Sequence, residues 1–372
     1  MLSERSEDIR CRVLHLNTES SMRGGEVQTL GLIRNLEAMG CRCTLVARDW
    51  SPLLERAWGE GLQVVPWRPR GEWDLWSALQ LKRWMAESKA ALVHAHTAHA
   101  LSLALLAAKG LHPRPKVVAS RRVSFPLRSR LSRWKYRSAD ALVAVSEEVR
   151  ASLVAQGLDS RRVCTIHSGV DLARFRELPP RQAARARLGM DPAVRAVGSV
   201  GALVPHKGHA LLVHALRDLR AQGLAVELYL AGDGPLGPAL QAQGLEMGVP
   251  VHLLGYLQTP GDLYAALDVL VLPSLSGEGS PGVIKEAAAC CVAVVATDVS
   301  GTREILRDGV ESLLVPPGEP VALSAAVGRV LSEPGLAQRL VEAAHFRVRD
   351  FTMERMSQAH LALYRELDAA LR

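Results

Sequence analysis

The sequence has no long hydrophobic run and no segment that resembles an export signal. None of its apolar stretches reaches the roughly 18 residues that a membrane-spanning helix requires. The N-terminal segment MLSERSEDIR lacks the apolar centre of a secretory signal peptide. We therefore expect a cytoplasmic protein without a transmembrane segment.

Cysteine is scarce, and it lacks the spacing of a metal site. The six cysteines lie mostly within or beside apolar runs: Cys11, Cys41, Cys43, Cys164, Cys290 and Cys291. Neither the Cys41–Cys43 pair nor the Cys290–Cys291 pair has the spacing of zinc ligands. The pattern predicts buried, reduced thiols of a cytosolic protein.

Acidic residues are outnumbered by basic ones, and the formal net charge is +7. A basic surface favours an anionic partner, which can be a nucleic acid, an acidic membrane surface or a phosphorylated substrate. Composition alone does not select among these three.

The hydrophobic pattern predicts two α/β domains. The chain has 372 residues, 48% of them hydrophobic, which is enough for two cores of ordinary size. Short apolar runs alternate with helical segments, the pattern of doubly wound parallel sheets. The run Leu178-Pro179-Pro180 interrupts this alternation. The predicted boundaries are 1–176 for the first Rossmann-like domain, 177–194 for a linker, 195–350 for the second and 351–372 for a helix that packs back on the first domain.

The segment from Glu278 to Glu286 sets two carboxylates eight residues apart around a Ser-Pro-Gly turn. Ser280, Pro281 and Gly282 fit the start of a helix that follows a buried strand. Free N–H groups at such a helix start suit a phosphate. Two acids beside a bound diphosphate can hold sugar hydroxyls, so the segment predicts a nucleotide-sugar site. The alternative for Glu286 is an acid that only favours the helix dipole.

Further motifs stand in order at strand-to-helix junctions. They are Gly24-Gly25-Glu26, Val145-Ser146-Glu147, Ile166 to Phe175, Gly201 to Gly208, Ala231 to Pro235, Leu254-Gly255-Tyr256 and Ser300 to Glu304. Together with the Glu278/Glu286 motif they resemble the retaining glycosyltransferases of family 4, which have the GT-B fold. The resemblance covers nearly the whole chain. It implies two Rossmann-like domains that face a central cleft, a nucleotide-diphosphate sugar as donor, and no metal ion or cofactor.

The resemblance also implies roles for the donor-site residues. Glu286 is similar to the acid that holds the ribose hydroxyls, and Glu278 to the acid near the donor sugar. The remaining donor-binding candidates supply backbone groups or lie against the nucleobase: Gly24, Gly25, Gly255, Tyr256, Ser280, Pro281, Gly282 and Val283. An ordinary turn at Gly24-Gly25 and a plain strand end at Gly255 stay open as alternatives.

Lys207 and Arg122 join Glu278 as the catalytic candidates. Lys207 lies between a predicted strand and a helix, where a cation can stabilise the departing diphosphate. The alternative is a solvated lysine. Two positions depart from the family: Ala202 stands where an Arg is common, with His206 or Arg303 as candidate substitutes, and Arg122 stands where relatives have a His. An Arg stays protonated, so Arg122 is expected to bind an anion or a hydroxyl, or else to be a surface arginine.

His94-Ala95-His96 ends a predicted strand and raises the question of a metal site. We expect the two imidazoles to face opposite sides of the strand, and the sequence offers no obvious third ligand. No metal site is therefore predicted.

The segment 125–137 has the composition of a helix on an anionic lipid surface. Leu127, Leu131 and Trp134 form one stripe, flanked by Arg128, Arg130, Arg133, Lys135 and Arg137. This pattern predicts a peripheral attachment to the inner face of the plasma membrane. The alternative is that the tryptophans, all between Trp50 and Trp134, pack into the first domain's core.

The favoured function is a retaining, metal-independent glycosyltransferase. We expect it to move a sugar from a nucleotide-diphosphate sugar to a glycan or a lipid-linked acceptor, in bacterial cell-envelope synthesis of the lipopolysaccharide type. A sugar-nucleotide epimerase of the same fold is one alternative. A non-catalytic nucleic-acid-binding protein is another, but it would interleave basic and aromatic residues on a reader module. We therefore predict no nucleic-acid partner.

Overall fold

The computed structural model describes residues 11–123, 125–127, 129–257, 259–299 and 301–368. They form two compact units. Unit 1 takes in the described residues of Met1–Gly169 and Met353–Arg372, and unit 2 takes in those of Val170–Thr352.

Unit 1 contains a parallel sheet of seven strands in the order β3-β2-β1-β4-β5-β6-β7. The strands are β1 (Arg12–Asn17), β2 (Arg42–Arg48), β3 (Val64–Trp67), β4 (Leu92–Ala95), β5 (Lys116–Arg121), β6 (Ala141–Ala144) and β7 (Val163–Thr165). The helices between them are α1 (Gly24–Ala38), α2 (Pro52–Gly59), α3 (Leu75–Ser88), α4 (Ala98–Ala108), α5 (Arg130–Arg137) and α6 (Glu147–Ala155). Side-chain caps at Ser51, Asp74, Thr97, Ser129 and Ser146 start five of these helices.

Unit 2 contains a parallel sheet of six strands in the order β10-β9-β8-β11-β12-β13. The strands are β8 (Arg195–Val200), β9 (Val226–Ala231), β10 (Val251–Gly255), β11 (Val269–Leu272), β12 (Ala293–Thr297) and β13 (Leu313–Val315). The helices are α7 (Arg181–Arg187), α8 (His209–Ala221), α9 (Gly237–Met247), α10 (Gly261–Ala266), α11 (Gly282–Ala289), α12 (Thr302–Ile305), α13 (Pro320–Ser332) and α14 (Leu336–Arg347). Short 3-10 helices lie at Ser160–Arg162, Leu172–Phe175, Pro205–Lys207 and Val348–Phe351.

The last helix, α15 (Met353–Leu367), belongs to unit 1 and packs against α1. The contact is close, because a Cβ at Gly31 of α1 would lie 2.6 Å from the Met353 sulfur. A side chain at this position would require the end of the Met353 side chain to move. The predicted segment 351–372 extends past residue 368, the last one that the structure describes.

The predicted class of two parallel α/β sheets is confirmed, and the structure adds detail at three places. The sequence pattern did not indicate the strand β3, because its Pro66 argues against a strand. The strand lies at the edge of the sheet, where proline is tolerated. Gly24 and Gly25 are the first residues of α1 instead of a separate turn. The predicted linker 177–194 packs within unit 2, where the buried Arg185 pairs with Asp268 at 2.7 Å.

Buried aliphatic side chains cover both faces of each sheet, which explains why the strands read as continuous apolar runs. Among the helices that the structure describes, none combines the length and the apolar character that crossing a membrane would take.

Candidate functional site

The strand order of unit 2 reverses between β8 and β11, with β9 beyond one and β12 beyond the other. Sheets of this kind bind ligands at the carboxyl ends of the strands where the order reverses. The loop after β8 carries Lys207 and the loop after β11 carries Glu278. The sheet topology therefore brings these two predicted residues together.

Backbone contacts hold the two loops side by side. The N–H of Leu275 donates to the carbonyl of His206 at 2.8 Å. Gly208 has φ +70°, and a Cβ there would lie 2.0 Å from the carbonyl oxygen of Pro273. The close approach therefore requires glycine, both for its positive φ and for the missing side chain.

Lys207 and Glu278 form an ion pair that is largely shielded from water. The Lys207 Nζ donates to Glu278 Oε1 at 2.5 Å, and the Ser274 hydroxyl donates to the same oxygen at 2.5 Å. The Glu278 side chain is only 7% exposed, and that of Lys207 is 22% exposed. Glu278 Oε2 makes no hydrogen bond to the described residues. It is therefore the oxygen that can accept a hydrogen bond from a ligand.

The end of β12 and the loop after it contact the backbone of the segment that carries Glu278. The N–H of Gly301 donates to the carbonyl of Glu278 at 3.1 Å, and a Cβ at Gly301 would lie 1.9 Å from the carbonyl oxygen of Gly279. The Thr297 hydroxyl donates to the carbonyl of Ser274 at 2.5 Å. The loops after three neighbouring strands of the sheet, β8, β11 and β12, thus together determine where the Glu278 carboxylate lies.

Glu286 lies in the second turn of α11, which starts at Gly282 after Pro281. Its Oε2 accepts a hydrogen bond from the Tyr264 hydroxyl at 2.7 Å. Burial, and then the charge of Glu286, raise the pKa of Tyr264 well above its usual value, so the phenol stays a donor. A Cβ at Gly282 would lie 4.0 Å from Glu286 Oε1. The carboxylate therefore lies back toward the helix start, beside the free N–H groups.

Lys285 is a residue of this segment that sequence reasoning passed over. It is fully buried, its Nζ donates to the Ser280 hydroxyl at 2.9 Å, and it lies 5.8 Å from the centre of the Phe351 ring. The lysine orients the turn at Ser280. Its position directly before Glu286, on a helix that is otherwise apolar, was the available signal.

The other predicted unit 2 residues are more dispersed. Gly255, with φ +64°, ends the edge strand β10, and the side chain of Tyr256 is 54% exposed. Of the proposed substitutes for the missing Arg at Ala202, the His206 side chain is exposed and Arg303 pairs with Asp298 at 2.8 Å. Neither side chain forms a hydrogen bond or ion pair with Lys207 or Glu278 in the part of the chain that the structure describes.

In unit 1 the strand order reverses between β1 and β4. Gly24 and Gly25 open α1 just after β1, and Glu26 follows them in a buried position. Glu26 Oε1 accepts from the Asn17 side chain and Oε2 from the N–H of Arg23, each at 3.1 Å. Burial raises the pKa of Glu26. The first loop therefore carries an acid that is already fully hydrogen-bonded.

The expectation that His94 and His96 face opposite sides is wrong, because residues two apart on a strand point to the same face. Their ring centres lie 4.1 Å apart, and His15 joins them through a 3.0 Å contact between its Nδ1 and His96 Nε2. The three residues offer nitrogens within 4.8 Å of one another. His94, however, uses both nitrogens in hydrogen bonds, with Tyr364 at 2.6 Å and Ser120 at 2.8 Å. A metal ion would have to displace one of them.

These histidines are neutral at physiological pH. Burial, the largest cause, lowers the pKa of His15 to about 3 and that of His360 to about 4, and lowers those of His94 and His96 well below their usual value. Arg122 is the remaining predicted residue of unit 1, and it follows β5 directly. Its side chain lies against Gly25: a Cβ built on Gly25 would lie 3.5 Å from the Cδ of Arg122.

Comparison with known proteins identifies the family. The family model for glycosyltransferase family 4 matches residues 22–174, and the one for glycosyl transferases group 1 matches residues 194–333. A D-inositol 3-phosphate glycosyltransferase of Saccharomonospora viridis is 31% identical over 308 residues, which are 78% of this chain and 68% of that relative. The chain belongs to glycosyltransferase family 4.

Other family 4 relatives are longer than the region they share with this chain. The D-inositol 3-phosphate glycosyltransferase of Streptomyces bingchenggensis is 31% identical over 245 residues, which are 62% of this chain but only 53% of that relative. Among solved structures, Anabaena HepE in complex with UDP and glucose gives a TM-score of 0.85 at 20% identity, covering 96% of this chain and 100% of that one. This similarity shows that the chain has the GT-B fold.

Proposed function

We propose that the protein is a retaining glycosyltransferase that binds a nucleotide-diphosphate sugar in unit 2. The observation that carries this proposal is the shielded Lys207–Glu278 pair at the reversal of the strand order, with Glu286 eight residues further on at the start of α11. A cation, a helix start and two carboxylates in this arrangement match the groups of such a donor.

Each group of the donor has a partner in this arrangement. The free N–H groups of α11 and the Lys207 ammonium face the diphosphate, whose negative charge grows as it leaves. Glu286 accepts hydrogen bonds from the ribose hydroxyls, and Glu278 Oε2 accepts one from a sugar hydroxyl. Lys207 and the helix start supply the positive charge at the diphosphate, so the proposal needs no metal ion or cofactor. Retention follows if the acceptor attacks the face that the diphosphate leaves, with the leaving phosphate taking the acceptor's proton.

Glu286→Ala is expected to weaken nucleotide binding by about 10- to 100-fold, because a hydrogen bond to a charged group contributes about 1.5–3 kcal/mol. Titration calorimetry with UDP, GDP and ADP measures the loss, using whichever nucleotide binds the wild type. Tyr264→Phe keeps the carboxylate and removes its 2.7 Å donor, so a smaller loss is expected. Glu246→Ala, an exposed glutamate of α9, is the matched control. If no nucleotide binds the wild type, the donor site is refuted.

The acceptor belongs to unit 1 in this proposal, as a glycan or a lipid-linked molecule of the bacterial cell envelope. The support is an exposed face of α5 that carries Arg130, Leu131, Trp134 and Arg137. Lys109 adds a further cation, 5.9 Å from the Trp134 ring centre. Apolar side chains among cations suit an anionic lipid surface, so we propose peripheral membrane attachment from the cytoplasmic side.

One member of the predicted apolar stripe and one of its flanking cations lie elsewhere. Leu127 precedes α5 and is buried, and Lys135 points inward, where it pairs with Glu72 at 3.0 Å. Arg128 lies outside the described residues. The tryptophans also divide: Trp67 is buried in the core, whereas Trp50, Trp58, Trp73 and Trp76 are exposed like Trp134.

The double variant Leu131→Ser/Trp134→Ser is expected to lower binding to vesicles with anionic phosphatidylglycerol by about tenfold or more, since it removes the apolar part of the face. Co-sedimentation measures this, with phosphatidylcholine vesicles and high salt as conditions that should abolish binding. Leu245→Ser changes a still more exposed leucine of unit 2 and should leave binding unchanged. Equal binding by the wild type and the double variant would rule out this face.

A further inference from the structure

Arg122 is an arginine without a partner. Its Nε is buried and makes no hydrogen bond, and the side chain forms no hydrogen bond or ion pair with the residues that the structure describes. Arg185 shows the usual arrangement of a buried arginine, with carbonyl acceptors and a 2.7 Å ion pair to Asp268. Burial lowers the pKa of Arg122 only to about 10, so the guanidinium is charged at neutral pH.

The groups around Arg122 include one carboxylate, which attracts it without a direct hydrogen bond among the described residues. Glu26 is the carboxylate that acts on it electrostatically, but both Glu26 oxygens already accept hydrogen bonds from Asn17 and Arg23. His94, His96 and His360 surround it as neutral imidazoles. The guanidinium is half-buried and no described residue accepts its hydrogen bonds, so its N–H donors are available to an anionic ligand.

The surroundings of Arg122 are rich in further donors. Its side chain lies against Gly25 in the first turn of α1, a helix of 15 residues whose first N–H groups have no partner within the helix. His96, only 6% exposed, has an Nδ1 without a hydrogen-bond partner among the described residues. Both groups lie where the strand order of unit 1 reverses.

We propose that Arg122 binds a phosphate-like anionic group of the acceptor substrate in unit 1. A planar guanidinium suits such a group because it can donate two parallel hydrogen bonds to it. The inference rests on the proposed function in assigning the acceptor to unit 1. The donor's diphosphate is the other possible source of the anion, and the experiment separates the two.

The test is a titration of the whole 372-residue protein with inorganic phosphate at low ionic strength. Binding is measured from the broadening of the 31P NMR signal of phosphate. Arg122→Gln is expected to weaken phosphate binding at least tenfold. Arg122→Lys keeps the charge but loses the two parallel hydrogen bonds of the guanidinium, so its phosphate affinity should lie between those of the wild type and Arg122→Gln. Arg83→Gln removes an exposed unit 1 arginine and should match the wild type. Saturation with the nucleotide that binds the wild type should leave phosphate binding in place.

Equal phosphate binding by the wild type and Arg122→Gln, or none by the wild type, overturns the inference. Displacement of phosphate by the nucleotide, or its loss in Lys207→Met, assigns the anion to the donor site and also overturns the inference. Thermal unfolding checks the fold: Arg122→Gln removes an unpaired, half-buried charge, so its melting temperature should equal or exceed that of the wild type. The nucleotide titration tests the donor site of unit 2 separately. The donor-site proposal and the Arg122 anion site can therefore fail independently of each other.

Discussion

Lys207→Met is expected to lower kcat for release of the nucleoside diphosphate by about 10²- to 10³-fold. A fixed cation at the leaving group acts mainly in the transition state, where the diphosphate gains charge, so KM should change much less. The measurement is steady-state release of diphosphate from the sugar nucleotide whose nucleotide binds in the screen.

The variant also leaves Glu278 in a shielded place without its cation, so a control must separate catalysis from stability. Lys207→Met/Glu278→Gln removes both charges and should recover the melting temperature while staying inactive. If the double variant regains more than a tenth of the wild-type kcat, Lys207 acts only by neutralising Glu278. A change in KM alone would equally remove its catalytic role.

Gly208→Ala is expected to lower the free energy of unfolding by about 3 kcal/mol or more. The added Cβ would lie 2.0 Å from the carbonyl oxygen of Pro273, and that oxygen is part of the backbone next to β11. A flexible side chain could move away, but the strand end cannot move without disturbing the sheet. We expect the loops of Lys207 and Glu278 to separate and nucleotide binding to fall as well.

Gly248→Ala is the matched control in the same unit. Its φ of +68° is close to the +70° of Gly208, but no atom lies within 4 Å of its added Cβ. It should cost about 1 kcal/mol, the penalty of the left-handed conformation alone. Urea unfolding followed by circular dichroism measures both variants. Equal midpoints for the two would show that the contact with Pro273 does not hold the loops together.

Local patterns predicted the parallel sheets because each unit buries its strands on both faces, and a doubly buried strand must be apolar throughout. The same reasoning failed at β3, where an edge strand tolerates a proline that a central strand would not. The predicted linker packs within unit 2, where Arg185 pairs with Asp268, and no local pattern indicates a partner 83 residues away in the chain.

The sequence by itself determined the α/β class, the family, and the presence of Glu278, Glu286, Lys207 and Arg122 at strand-to-helix junctions. These features can be predicted from local sequence patterns, namely hydrophobic periodicity, glycines and helix-start residues. The tertiary structure alone decided which of these residues meet. Lys207 pairs with Glu278 because β8 and β11 are adjacent, and His15 joins His94 and His96 because β1 lies beside β4. The partnerless charge of Arg122 likewise emerged only in three dimensions, because a missing counter-ion depends on every chain segment packed around it.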